Sequence, residues 1–413
     1  MLRLAELAEQ DAAPQFSAID ALERDNGMKV LGAFLDHGIS AAHLLGTTGY
    51  GYGDMGRDAL DRVFAQVFGA EDALVRHHFV SGTHALTVAL FGLLRPGNLL
   101  LSLTGKPYDT LEEVIGIRDE GKNEGSLADF GVRYEQIELK NGAIDLAAAC
   151  AAAPGAAVAT IQRSRGYSLR PSLSVAEIGE ACRAVKAANP NIVIMVDNCY
   201  GEFTERLEPT AVGADLMVGS LIKNPGGGIA KTGGYLAGRH DLVERCACRL
   251  TTPGTGREVG CSLDELRGMY MGLFFAPTTV AAALKTAVFA AALFERMGYE
   301  AFPRANEERH DIIQALCLKT PEALIAFCEG IQSGSPIDSL ARPEPWDMPG
   351  YDSPVIMAAG AFTLGASIEL SADAPMREPF AVWLQGGLTW PTGRAGVLLA
   401  AARLIRALGL LID

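Results

Sequence analysis

Hydrophobic and polar positions along this chain change their period several times, and the changes mark out its elements. Apolar residues recur at helical spacing around Phe16–Leu35, which predicts a first helix. A glycine- and tyrosine-rich segment follows, LLGTTGYGYGDMGR, whose five glycines between Gly46 and Gly56 are incompatible with a stable helix. From about Leu60, short apolar runs alternate with amphipathic stretches. Strands are predicted at 73–80, 98–103, 132–139, 156–162 and 191–197, with helices starting at Thr83, Asp109, Ala143 and Val175 between them. Shorter strands follow at 214–220 and 233–239. Such alternation implies a mostly parallel sheet covered on both faces. Ligands in such sheets bind at the carboxyl ends of the strands, and Ser81, Asp197 and Ser220 each fall at one.

A long helix near Pro277–Met297 leads into a different pattern. Residues 298–413 contain turns, strands in GASIELSA and FAVWLQG, and a final helix over Ala395–Leu411. The expected fold is α/β, a large mostly parallel sheet domain with a smaller C-terminal α+β domain. The expected divisions are 1–60, 61–275 and 276–413.

Bulk composition narrows the function. A net charge of −14 lacks the basic footprint that nucleic acids require and disfavours an anionic membrane surface. It leaves room for a locally positive pocket. The N-terminus, MLRLAELAEQDAAPQ, is interrupted by charges, and no run is read as reaching the ~18 apolar residues of a membrane span. Eight cysteines without a CxxC read as thiols of a reducing cytosol. The expected location is cytoplasmic, and no metal is expected.

The chemistry concentrates in MVDNCYGEF and, about two dozen residues later, GSLIKNPGGGI. An apolar strand ending in Asp197, a second short strand, then Ser220 and Lys223 entering glycines is what a pyridoxal-phosphate site needs. Lysine forms Schiff bases with carbonyls once its amine is deprotonated, and a carboxylate keeps the pyridine nitrogen protonated. Lys231 in GGGIAKTGG is the rival lysine. A Walker A reading fails there, because Ala230 and Pro225 stand where that motif wants glycine. Asp197 could alternatively cap the next helix. Ser81, Gly82 and Thr83 open a helix after the first strand, where free N–H groups and the dipole suit a phosphate; a plain capped turn is the simpler alternative. Tyr108, after another strand, could stack on a cofactor ring or sit in a surface turn.

The order SGTHA, Tyr108, VDNCYGEF, GSLIKNPGGG resembles the Cys/Met-metabolism lyases of pyridoxal-phosphate fold type I. It is most similar to their methionine gamma-lyase-like, aluminium-resistance branch, over essentially the whole chain. IQRSRGYSLRPSLS and SADAPMREPFAVWLQGGL also resemble that branch. The resemblance implies pyridoxal 5'-phosphate as cofactor, Lys223 as the Schiff-base lysine and Asp197 as the pyridine partner. It implies phosphate binding by Gly82, Thr83 and Ser220, and stacking by Tyr108. Tyr52 and Arg57, with Tyr50 as rival, would reach the phosphate of a neighbouring subunit, making 1–60 an inter-subunit element of a homodimer or homotetramer. The family's substrate-carboxylate arginine has no counterpart, since Trp383 stands at its place; Arg377, Arg163 and Arg165 are the alternatives. The implied reaction is γ- or β-elimination from a sulfur- or halogen-bearing amino acid, with Lys223 as base and Tyr52 or Tyr108 as possible acid. Halide elimination to an alkynyl amino acid, an aminotransferase or aldolase-type reaction, and an idle ligand-binding relative remain alternatives.

Overall fold

Seven strands lie side by side in the order β1 (Asp72–Arg76), β7 (Gly234–Gly238), β6 (Leu216–Ser220), β5 (Val193–Asp197), β4 (Val158–Gln162), β2 (Leu99–Ser102) and β3 (Arg133–Gln136). The computed structural model describes residues 1–118, 124–347 and 353–409. From β6 to β3 every pairing is parallel, and β7 runs antiparallel to both of its neighbours. β1 therefore points the same way as the parallel set, and Asp197 and Ser220, the last residues of β5 and β6, share one edge of the sheet.

Apolar residues on alternate sides of these strands explain why both faces are covered. Leu74, Leu100, Val158, Met195 and Leu216 pack with α3 (Gly82–Leu93) and α7 (His240–Leu250) on one side. Val75, Leu101, Ile161, Ile194 and Met217 join the core on the other, with α2 (Met55–Phe68) and α6 (Val175–Ala188). Helix starts follow side-chain caps. Ser81 Oγ accepts from His84 N at 3.0 Å, and Ser174 and Glu177 form a reciprocal capping box on α6.

A second sheet is antiparallel throughout, in the order β10 (Val355–Ala358), β11 (Ser371–Pro375), β12 (Ala381–Gln385), β9 (Gln314–Cys317), β8 (Glu300–Phe302). It shares a core with α9 (Pro321–Ser333) and α10 (Trp390–Leu408). The α/β fold read from the sequence is the fold observed.

Several element limits differ. The first helix, α1, spans Leu2–Asp36 rather than starting near Phe16. Its early stripe is Ala5, Ala8 and Ala12, all fully buried, and small residues carry a weak periodic signal. β1 stops at Arg76, leaving Val80 76% exposed in a loop. GASIEL is not a strand; β11 begins at Ser371. The last helix starts five residues before the expected Ala395, at Trp390, and residues 410–413 lie outside the described part. The long helix α8 runs Leu266–Arg296, well before Pro277. It is also the one described helix long and apolar enough to cross a membrane, against the sequence expectation, but 78% of its most apolar window is buried inside the protein. α8 serves both cores, with Leu273 and Val280 in the first and Phe289 and Phe294 in the second, so the expected 275/276 division falls inside one continuous helix.

Candidate functional site

A cavity of about 370 Å³ opens at the shared carboxyl edge of β5 and β6. Lys223, Asp197, Ser81, Gly82, Thr83, Tyr108 and Ser220 all line it. Residues from four separated stretches of sequence thus meet in one place. A larger hollow of about 740 Å³ lies between α1 and the 306–310 segment, and none of the predicted residues is there.

Lys223 leaves the end of β6 and caps the one-turn 3-10 helix Asn224–Gly226. A Cβ on Gly226 would come 1.5 Å from Leu221 O, so only glycine lets this turn fold back on the strand end. The turn packs on α8 at Gly272, where a Cβ would lie 2.3 Å from Gly226 O. The Lys223 Nζ sits 4.1 Å from the ring centroid of Tyr200. Burial pushes its amine down, but Cys199, Tyr200, Asp197 and Glu202 outweigh this and hold it above the ordinary lysine range.

Asp197 has its carboxyl raised by burial, against the pull of Lys223 and the Cys199 amide, which donates to Oδ1 at 3.1 Å. Ser81 begins α3, and the Gly82 and Thr83 amides occupy first-turn positions with no intrahelical acceptor. A Cβ on Gly82 would lie 3.3 Å from Ser220 Cβ and 3.6 Å from Cys199 Sγ, so glycine keeps the helix start tight against the end of β6. Tyr108 N donates to Gln162 Oε1 at 3.1 Å, and its ring lies 6.0 Å from that of Tyr167.

Other predicted residues are elsewhere. Arg163 is fully buried and donates to Asn198 Oδ1, Gly201 O and Glu205 Oε1 at 2.8, 2.9 and 2.8 Å. Every nitrogen of that guanidinium is engaged within the fold, so it is not the substrate's arginine. Arg165 is 3% exposed and is held by Phe302 O and Asp311, away from the cavity wall. Arg57 is likewise internal, donating to Gly51 O and Gly260 O and pairing with Asp58. It braces the glycine-rich loop rather than presenting a free guanidinium. Tyr52 and Tyr50 are 62% and 77% exposed and outside this cavity. Arg377 is exposed on the turn after β11, near enough to Asp109 to act on its charge. Lys231, the rival lysine, is largely exposed and pairs with Glu265 at 3.1 Å. Trp383 lines the cavity, whereas Trp390 packs on Phe16 and Phe289 far from it.

Sequence reasoning missed Tyr200, Gln162, Asp373 and Gln385 as wall residues. A signal existed for Asp373: a lone carboxylate between alanines in a buried strand is costly without a partner.

Comparison with known proteins follows the same lines. The family model described as methionine gamma-lyase matches residues 1–405. The uncharacterized protein YnbB of Bacillus subtilis is 52% identical over 384 residues, covering 92% of this chain and 91% of its own. The solved structure of a carbon-sulfur lyase involved in aluminium resistance from Clostridium novyi has a TM-score of 0.94 at 50% identity, over 97% of this chain and 95% of that one. The fold alone is shared with the pyridoxal-5'-phosphate-dependent protein YhfS of Escherichia coli, at a TM-score of 0.62 and 18% identity over 93% and 97% of the two chains.

Proposed function

Because the chain belongs to the methionine gamma-lyase family, we propose that it is a lyase that breaks a carbon–sulfur bond in a substituted L-amino acid by γ- or β-elimination. Pyridoxal 5'-phosphate comes with the family as its cofactor. The residues present fit it on three counts. Asp197 is a half-buried carboxylate on the cavity wall whose hydrogen bond from the Cys199 amide to Oδ1 leaves its other oxygen for a ring N–H. The first-turn amides of Gly82 and Thr83 have no intrahelical acceptor, and Gly82 lies close against Ser220, where a Cβ would come 3.3 Å from the Ser220 Cβ. Among the described residues, Lys223 is the only lysine lining the same cavity. The presence of Lys223 and Asp197 in one cavity with the start of α3 is the observation that carries the reading.

Bound there, the cofactor supplies an electron-withdrawing ring that makes the carbon beside the substrate's amine acidic. The chain supplies the rest. Lys223 Nζ is the point of attachment and, when neutral, the base that takes the proton from that carbon. Asp197 holds a proton at the ring nitrogen. Gly82, Thr83 and Ser220 would hold the phosphate, and Tyr108 would supply the stacking face for the ring. With Arg163 and Arg165 engaged elsewhere, Arg377, outside the cavity wall but close enough to Asp109, the neighbour of Tyr108, to act on its charge, is the arginine proposed for the substrate's carboxylate. Tyr52 is proposed to act on a neighbouring subunit, which makes the working enzyme a homodimer or homotetramer with shared sites. The eight cysteines, all unpaired, suit a reducing cytoplasm.

The test is product identification with holoenzyme and a panel of β- and γ-substituted amino acids. Stoichiometric thiol, ammonia and 2-oxo acid are expected. A three-carbon acid marks β-elimination and a four-carbon acid γ-elimination. Amino transfer without thiol release would replace this reading with a transferase.

A further inference from the structure

The assignments above leave one buried charge in the cavity unused. Asp373 lies on β11, 4% exposed, and lines the cavity that holds Lys223. Its Oδ2 accepts a 2.8 Å hydrogen bond from the Tyr167 hydroxyl. Among the described residues, no ion pair reaches the carboxylate. Its surroundings are neutral: Trp383 stands directly across the strand pair from Asp373, and the Tyr167 ring packs edge-on to Trp383 at 5.5 Å. Among the described residues no arginine lines the cavity, and the one lysine there, Lys223, has its Nζ over the Tyr200 ring.

Such an anion is costly unless a cation or strong donors meet it. Burial pushes the Asp373 carboxyl up to about 6, which leaves it mostly ionised at neutral pH. Tyr167 supplies one donor and fixes the carboxylate's orientation. Asp373 lines the same cavity as Lys223, so its remaining acceptor capacity is open to a ligand bound there.

We propose that Asp373, held by Tyr167, determines specificity at the far end of the substrate, and that the preferred substrate is an amino acid with a second, protonated nitrogen beyond the bond that breaks. This rests on the lyase reading, because it takes the reacting end to lie at Lys223. An ammonium at Asp373 completes a charge-assisted pair with a carboxylate that is itself 4% exposed. A neutral alkyl end leaves the anion unpaired, and an anionic end adds repulsion. The aromatic wall of Tyr108, Tyr167 and Trp383 accepts the intervening methylenes in either case, so the cavity sorts by charge more than by bulk.

The test uses holoenzyme and two ligands without a leaving group, L-lysine and its uncharged analogue L-2-aminoheptanoate, with dissociation constants measured calorimetrically. Lysine is expected to bind about tenfold more tightly, the scale of a hydrogen bond to a charged group. Asp373→Asn is expected to bring the two affinities within about twofold. Tyr167→Phe, which keeps the charge, is expected to retain the preference. Equal affinities in the unaltered enzyme, or a preference that survives Asp373→Asn, overturn the proposal. Parallel turnover pairs, S-(2-aminoethyl)-L-cysteine against S-propyl-L-cysteine for β-elimination and the two corresponding L-homocysteine thioethers for γ-elimination, separate the two readings. A preference for lysine with no thioether of either pair cleaved keeps the charge pairing and sinks the lyase. Equal cleavage of both members of a pair with equal binding keeps the lyase and sinks the charge pairing.

Discussion

Lys223 holds its Nζ 4.1 Å from the centroid of the Tyr200 ring. Tyr200 itself adopts a left-handed backbone, φ 70°, just after the end of β5. That conformation is uncommon for an aromatic residue and persists only where its surroundings enforce it. It turns the ring under the lysine. A ring face stabilises an ammonium over a neutral amine, by about 1 kcal/mol. Tyr200→Leu should therefore lower the acidity threshold of Lys223 and make more neutral amine available at a given pH. Apoenzyme of this variant is expected to take up pyridoxal 5'-phosphate roughly fivefold faster at pH 8, read by stopped-flow absorbance.

Asp197→Asn separates stability from chemistry. Burial already disfavours the charged carboxylate at this position. Apoprotein carrying the amide is expected to be as stable as the original or more so, by denaturant midpoint. Turnover is expected to fall on the order of a hundredfold or more, as when a preorganised electrostatic partner is removed. A large loss of stability with retained turnover would place Asp197 among the structural residues.

Arg163 ties the end of β4 to the segment after β5. Its partners include Asn198, Gly201, Glu205 and Glu208, and Glu208 is as fully buried as Arg163 itself. Arg163→Ala strands these acceptors, and a loss of about 3–5 kcal/mol is expected in urea unfolding. A rise in KM alone, with stability unchanged, would restore it as a substrate ligand.

Glu202 sets a pH dependence. It is fully buried, accepts from Tyr235 Oη at 2.8 Å through Oε1, and has Oε2 without a partner. Burial, eased by the Tyr235 hydrogen bond, pushes its carboxyl from 4.5 up to about 8. The folded state thus binds a proton that the unfolded state has released between these values. This contribution to stability is complete below pH 4.5 and is lost as pH rises towards 8. Relative to Glu202→Gln, the unaltered protein should lose stability over that window by up to about 1.4 kcal/mol per pH unit. Denaturant midpoints of both proteins at pH 5, 6, 7 and 8 test this; parallel curves would contradict it.

The sequence made the parallel sheet legible because its strands are continuous apolar runs of β-branched residues, NIVIMVD above all, broken by amphipathic helices. The same pattern located the sheet edge where the cavity opens, since Asp197 and Ser220 end two of those runs. Arg163 and Arg165 were misread for a physical reason. A guanidinium in a loop gives no sign in sequence of whether it faces a cavity or a set of buried carbonyls, and here the partners come from residues 198–208 and 302–311. The lengths of α1 and α8 were hidden by small residues. Alanine and glycine report close packing, as between Gly272 and Gly226, but look like weak helix when read locally. Asp373 was only half legible: a lone carboxylate between alanines was a signal, but its partner Tyr167 lies 206 positions away in sequence.

The central claim is that the ε-nitrogen of Lys223 carries the cofactor. Holoenzyme reduced with borohydride, digested and mapped by mass spectrometry tests this most directly. A single pyridoxyl adduct at Lys223 is the expected result. An adduct at Lys231 or any other lysine, or none in a preparation saturated with pyridoxal 5'-phosphate, would contradict the account.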